Sequence, residues 1–272
     1  MLSPEHLQAG LVLPLDKPRQ WTSFQAVNKV KSVVRNLYGL KKFKIGHAGT
    51  LDPLATGLLL VCLGKATKDI PRLQDGDKVY TGTLVLGATT PCFDLERPVD
   101  RFFPYDHITL SMLQEKAAEF TGTILQVPPL FSAVKIDGQR AYEYARTDDP
   151  TVTILPKPVL VHSFEITAFR PGENHNDLNS QNTLTIQDSP SLQKNQKNLY
   201  QHPLGVVPQQ LPQADFRIQC GKGTYIRSLA RDLGEALGSG AFLSALRREQ
   251  VGAYSVDNAL PPDGVQDYLM KL

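Results

Sequence analysis

Residues Ile45–Lys68 read IGHAGTLDPLATGLLLVCLGKATK, and a single carboxylate, Asp52, sits among small residues in their first half. Gly46, Ala48, Gly49 and Thr50 come before it; Ala55, Thr56 and Gly57 come after. Few side chains obstruct such a loop, so a large flat substrate can come close to its backbone. Pro53 stiffens the chain behind the acid and disfavours helical geometry at Asp52, which presents the carboxylate instead of folding it into a helix. The run LLLVCLG that follows is continuously apolar and reads as a buried element that anchors the loop. An acid on a rigid, open platform is a candidate catalytic group.

The rest of the chain bounds what this platform belongs to. Its 272 residues suit one large domain or one domain with an appendage, and 41% hydrophobic with 21% charged content is ordinary for a soluble globular protein. The longest apolar run, Leu58–Leu63, is too short to cross a bilayer, and MLSPEHLQAG lacks the basic start and apolar core of a signal peptide. Cys62, Cys92 and Cys220 show no CxxC spacing. Neither a disulfide frame nor a zinc site is expected from them, and a reducing cytoplasm is the expected compartment. Walker and GxGxxG patterns are missing, which argues against a nucleotide phosphotransferase; GxSxG and HExxH are missing too, which argues against a hydrolase. The net charge of +2 announces no nucleic-acid binder, but Lys29, Lys31, Arg35, Lys41, Lys42 and Lys44 occur with no acidic residue among them. Alone, such a run is more often a solvated helix face. Immediately before the acid-bearing loop it offers a positive field where a phosphate backbone could dock.

The periodicity predicts mixed elements. Thr22 or Ser23 caps a helix with Phe24, Val27, Val30, Val34 and Leu37 at helical spacing, ending at Gly39. Lys78–Thr90 alternates as a strand, as do Val159–Phe169 and the stretch around Phe216, Ile218 and Cys220. Leu110 to Phe120 and Ile226 to Leu237 read as helices, stopped by Thr121-Gly122 and by Gly238. No regular βαβ repeat appears, which favours an α+β fold. Pro171–Ala214 breaks the pattern: 14 of its 44 residues are Asn or Gln, so it reads as a polar, flexible insertion between two strands, with a short strand at Thr183–Ile186 conceivable.

GHAGTLDPLATGLL closely resembles the active-site motif of the TruB family of tRNA pseudouridine synthases. GLVLPLDKP (10–18), KVYTGTLVLGATTPCFD (78–94), TGTILQVPPLFSAVKIDGQRAYEYAR (121–146), CGKGTYIRSLARDLGEALG (220–238) and LRREQVGAY (246–254) resemble further segments of that family in the same order. The resemblance implies a pseudouridine-synthase fold: a central, largely antiparallel sheet with helices around it and a catalytic cleft across it. It implies a catalytic domain over residues 1–255, a thumb-like RNA-binding segment over 126–146, and a short C-terminal remnant, 256–272, in place of a full extra RNA-binding domain. The implied reaction converts a T-loop uridine of tRNA (position 55) to pseudouridine. The N1–C1′ bond breaks, the uracil turns, and it rejoins through C5, with no cofactor required. The expected partner is the tRNA T-arm alone, with no membrane, no obligatory protein partner, and a monomeric enzyme.

The resemblance makes Asp52 the essential acid. Its carboxylate could attack C1′, add to C6 or take the 2′ proton. Tyr80 matches the family's active-site tyrosine, whose ring can stack on the uracil. Arg227 is placed beside Asp52, with Tyr225 packed near it, and Leu246 lines the uracil pocket. Lys78 is either structural or a phosphate ligand, and Lys222 with Gly223 forms a turn near RNA. His47, in the Asp52 loop, enters the T-loop, where the target base must leave its stack. Lys135, Arg140 and Arg146, with Tyr142, are the thumb's RNA contacts. Arg247 and Arg248 read as RNA-facing or structural. Gln20 stands where a glycine is usual, and Cys92 replaces a usual threonine. The competing reading is a module that binds and opens tRNA without turnover; Asp52, Tyr80 and Arg227 argue against that as the sole role.

Overall fold

The computed structural model describes residues 4–40, 42–132, 135–136, 139–140, 154–172 and 211–272. The chain opens with α1 (Pro4–Ala9), β1 (Leu11–Lys17), α2 (Ser23–Tyr38), β2 (Ile45–Ala48) and β3 (Thr56–Leu63). A 3-10 turn, Gly64–Asp69, runs into α3 (Ile70–Asp75), followed by β4 (Lys78–Leu86) and a small ribbon of β5 (Ala88–Thr89) and β6 (Arg101–Phe102). Then come α4 (Leu110–Glu119), β7 (Gly122–Gln126) and a second ribbon of β8 (Lys135–Ile136) and β9 (Gln139–Arg140). The chain ends with β10 (Lys157–Arg170), β11 (Gln213–Cys220), α5 (Ile226–Ala236), β12 (Ala241–Val251), β13 (Tyr254–Ser255) and α6 (Val265–Lys271).

The α2 boundaries follow from local chemistry. Thr22 Oγ1 accepts from Gln25 N at 3.1 Å while Gln25 Oε1 accepts from Thr22 N at 2.7 Å, a reciprocal capping box. Gly39, at φ +64°, ends the helix in the left-handed region. The expected strand 78–90 stops at Leu86, because Gly87 turns the chain at φ +84° before β5.

Nine strands form one sheet in the order β1-β3-β12-β4-β11-β10-β7, with β2 beside β3 and β13 beside β12. Its pairings are antiparallel except at one seam, where Thr56 and Gly57 of β3 meet Arg247 and Arg248 of β12 in parallel. Gly57 makes that seam possible. It sits at φ +98°, and a Cβ there would lie 2.3 Å from the Arg248 carbonyl oxygen. Strand β3 is buried on both faces. Leu59, Val61 and Leu63 point into the main core, while Leu58, Leu60 and Cys62 point into a smaller one with Leu73 and Val256. That is why its sequence is continuously apolar instead of alternating. Each such leucine contributes roughly 1.5–3 kcal/mol by leaving water. Val265 and Leu269 of α6 are fully buried in the main core, and Tyr38 of α2 donates to Leu269 O at 2.8 Å. The last helix is thus packed on α2.

Candidate active site

The loop between β2 and β3 hangs over the parallel seam and carries Asp52. A cavity of about 380 Å³ opens beside it, lined by Asp52, Tyr80, Tyr225, Arg227, Leu246 and Arg248, among others. That volume lies within the usual range for a ligand pocket. Arg227, the second residue of α5, is 5% exposed, and its Nε and Nη2 donate to Asp52 Oδ2 and Oδ1 at 2.9 and 3.0 Å. Nη1 donates to Cys92 O at 3.1 Å and Nη2 also to Phe131 O at 2.9 Å. The guanidinium is therefore immobilised, and it fixes the carboxylate in one plane. Asp52 itself remains 36% exposed towards the cavity.

Two carboxyls behind this pair went unread in the sequence. Asp94 Oδ2 lies 3.7 Å from Arg227 Nε, and Asp94 Oδ1 accepts from Glu96 N at 2.9 Å. Burial pushes the Asp94 carboxyl up against the opposing pull of Arg227. Burial, then Asp94 and Asp52, push Glu96 up to about 7. Burial disfavours the Arg227 charge, but Asp52, Asp94 and Glu96 outweigh it and hold Arg227 above its ordinary value.

Tyr80, on β4, is buried at the cavity wall, and burial raises its hydroxyl. Arg248 lies beside that hydroxyl and is 1% exposed. It donates to Leu58 O at 2.8 Å, Gly49 O at 3.0 Å and Thr50 O at 3.4 Å. Of the two expected roles for Arg248, the structure gives the structural one: it suspends the Asp52 loop from β12. Lys17 holds the other flank. Fully buried, its ammonium donates to Trp21 O at 2.7 Å, Pro18 O at 3.0 Å and Pro53 O at 3.3 Å. Burial pushes it down to about 8, with Asp52 opposing. Nothing in the local sequence around Lys17 or Arg248 marks them as buried; three carbonyl partners apiece offset their desolvation.

The other expected site residues divide. Tyr225 and Leu246 line the cavity. Lys78 lines it too; it is 7% exposed, and its ammonium is bonded to Gln74 O. Lys222 is exposed at the rim and pairs with Asp75 at 2.7 Å. His47 stands on β2 and not in the loop, and its buried Nδ1 has no hydrogen-bond partner. Burial, then Arg248, hold its pKa down. In the expected basic field, Lys29 is paired with Asp263 at 2.8 Å, and Lys41 lies outside the described residues. Arg247 forms a two-pronged pair with Asp16 at 2.9 and 3.0 Å, away from the acid. Lys135 and Arg140 oppose one another across the β8–β9 ribbon. Tyr142, Arg146 and the conceivable strand 183–186 lie outside the described residues. Among the described residues, no cluster of His, Cys, Asp or Glu could hold a metal ion, and no helix is long and apolar enough to cross a membrane.

Comparison with known proteins matches the chain to a family. Residues 35–187 match the model for the TruB family pseudouridylate synthase N-terminal domain, and residues 227–271 match that for the tRNA pseudouridylate synthase B C-terminal domain. A tRNA pseudouridine synthase B from Flavobacterium johnsoniae is 46% identical, over 95% of this chain and 96% of that one. One from Phocaeicola vulgatus is 41% identical, over 97% and 95%. Among solved structures, a chain of a Cbf5-Nop10-Gar1 complex superposes with a TM-score of 0.62 at 26% identity. That match takes in 97% of this chain but only 56% of the other, so this chain spans about half its length.

Proposed function

The chain belongs to the TruB family of tRNA pseudouridine synthases, and we propose that it isomerises the T-loop uridine at position 55 of tRNA to pseudouridine. The observation that carries the reading is Asp52, held by both oxygens on buried Arg227 yet open to a cavity walled by Tyr80. The reaction exchanges one bond for another within one nucleotide. N1–C1′ breaks, C5–C1′ forms, the C5 proton leaves, and N1 gains one, so atoms balance with no added reactant.

The cavity cannot reach a stacked base, so the uridine swings out of the T-loop. That eversion costs a few kcal/mol, offset by stacking on Tyr80 and by contacts to the RNA backbone. His47, half-buried on β2 just before the loop, meets the space the base vacates. Asp52 then acts at the sugar–base bond, and Arg227 keeps its carboxylate aimed there throughout. Leu246 supports the apolar side of the uracil. Lys222 and the thumb residues Lys135, Arg140 and Arg146 bear on phosphates. We place the enzyme in a reducing cytoplasm, a reading supported by three buried free thiols, and take it to act as a monomer.

The test is incubation with T-arm RNA and with full-length tRNA, mapping pseudouridine by chemical probing. Product at the T-loop uridine with the parent, and none with Asp52→Asn at equal RNA binding, is expected. Product formation by Asp52→Asn would refute the role given to that acid.

A further inference from the structure

Residues Gln126–Ser132, the start of the segment expected to grip RNA, are fastened to the first turn of α5. Gln126 ends β7 and is 1% exposed. Its side-chain amide spans the backbone of Tyr225: Nε2 donates to Tyr225 O at 3.1 Å, and Oε1 accepts from Tyr225 N at 2.8 Å. Ser228 Oγ and Arg231 Nη2 both donate to Val127 O, at 2.8 and 3.0 Å. Arg227 Nη2 donates to Phe131 O at 2.9 Å while the same guanidinium holds Asp52. One end of α5 therefore carries the catalytic ion pair and the root of the RNA-facing segment together.

Gln126 is not needed for the helix to form. Tyr225 O also accepts from Leu229 N at 3.2 Å, so the first helical turn closes without the amide. Tyr225 is the N-cap, extended at φ −99° and ψ 110°, and no side chain of its own caps α5. What the amide adds is direction. It holds the backbone N–H and C=O of Tyr225, a cavity-lining residue two positions before the arginine that aims the acid.

Resting on the function proposed above, we propose that Gln126 is a positioning residue for pseudouridine formation. By clamping Tyr225 it sets the approach of Arg227 to Asp52, and it ties that pair to the segment that meets RNA. A contact that pulls on residues 127–132 is thereby transmitted to the carboxylate.

Gln126→Glu separates orientation from packing. The side chain keeps its shape and its acceptor, but a carboxylate cannot donate to Tyr225 O; once protonated it can do both. Single-turnover rates at saturating T-arm RNA are measured for parent, Gln126→Glu and Gln126→Leu from about pH 5 to about pH 8, with thermal melting and RNA affinity alongside. Near the upper pH, both variants should be slower than the parent by roughly tenfold or more. As pH falls, the ratio of Gln126→Glu to parent should climb back towards one, while Gln126→Leu stays slow. Lys157 opposite Gln126 on β10, Arg227 and Arg231 on α5, and Asp52, Asp94 and Glu96 around Arg227 are common to all three proteins, so the ratio at each pH isolates the introduced carboxyl. Should Gln126→Leu fail to fold, Gln126→Glu alone carries the test. Variants that match the parent, a loss that does not recover at low pH, or a loss that only tracks the unfolded fraction would overturn the inference. A parent that forms no pseudouridine overturns the functional reading and this inference with it; a working parent beside unaffected variants overturns this inference alone.

Discussion

Arg227 grips both oxygens of Asp52, from Nε at 2.9 Å and from Nη2 at 3.0 Å, although 175 residues separate them in sequence. A planar fork on a planar carboxylate fixes rotation as well as position, which a point charge cannot do. Arg227→Lys should therefore keep the charge and lose the aim. The variant should bind RNA within a few-fold of the parent yet turn over slower by about 10²-fold, comparable to the loss of one well-placed electrostatic group. It also leaves the carbonyls of Cys92 and Phe131 short of a donor, so a modest fall in melting temperature is expected. Parent-like single-turnover rates would show that the bidentate geometry is incidental.

Arg248 gives a different prediction, because it touches loop backbone and not the acid. Arg248→Met keeps the apolar stem but abandons the carbonyls of Gly49, Thr50 and Leu58. The bond to Leu58 O is buried, and leaving that carbonyl without a partner costs about 1–3 kcal/mol; those to Gly49 and Thr50 are partly open to water and add less. For a chain of this size that corresponds to several degrees in Tm. Turnover should fall as well, since the loop bearing Asp52 loses its suspension from β12. Unchanged melting would mean that water replaces the guanidinium at no cost.

How much of this was legible in the sequence depends on where the deciding partner lies. Helix α2 is legible to within one residue at its start, Thr22 or Ser23, and at its end, Gly39, because cap residues are neighbours of the turns they shape; the structure selects Thr22 and adds Gln25 as its partner. Asp52, Tyr80 and Arg227 were readable through motifs, and the structure brings all three to one cavity. Arg248 is not decidable from the sequence because an Arg-Arg pair in a strand has no local mark of burial; its three carbonyl partners sit 190 or more residues away. Gln126 likewise pairs with a residue 99 positions on. Lys78 shows the converse, a cation beside the site whose hydrogen bond turns out to be internal.

The carboxyls behind Arg227 predict a pH dependence. Glu96 rises from 4.5 to about 7 in the fold, first through burial and then through Asp94 and Asp52. The folded state thus holds a proton that the unfolded chain gives up, so Glu96 lowers stability as pH climbs from 4.5, and the penalty is complete above about 7. Below 4.5 both states are protonated and the group contributes nothing. Glu96→Gln should remove this slope, melting higher than the parent near pH 8 and close to it near pH 4. Parallel melting curves across that range would contradict the assignment.

Gln20 occupies a backbone position suited to glycine. Its φ is +69°, in the left-handed region, and its N–H donates to Pro53 O at 2.8 Å, so the strained turn borders the Asp52 loop. A side chain there costs roughly 1–2 kcal/mol in the fold, part of which glycine would return as greater freedom of the unfolded chain. Gln20→Gly should raise stability by about 0.5–1 kcal/mol and leave turnover unchanged. Chemical denaturation would check it, and a destabilised variant would show that the glutamine side chain contributes more than its backbone costs.

Strands β10 and β11 are partners on either side of the polar insertion, and their register brings Arg170 opposite Gln213. Two strand ends paired in this way can be joined by a tight turn. Arg170 also locks the ladder from the side, with Nη1 and Nη2 donating to Asp215 Oδ2 and Oδ1 at 2.6 and 2.7 Å, and Asp215 is held further by Thr83 Oγ1 at 2.8 Å. The insertion expected over Pro171–Ala214 reaches too far, since Gln213 and Ala214 belong to β11; the contacts above lie outside residues 173–210 and need none of them. Asp52, Tyr80 and Arg227 lie on other loops and strands, so their geometry should survive excision. Replacing 173–210 by a short turn should keep the fold, raise stability slightly by shortening the loop to be closed, and preserve T-loop modification. Glu173, Asp177, Asp188, Lys194 and Lys197 are among the few charges in this stretch, and they make poor phosphate ligands as a set. Melting and affinity for full-length tRNA decide the matter: a large drop in affinity at unchanged melting would make the insertion an RNA contact.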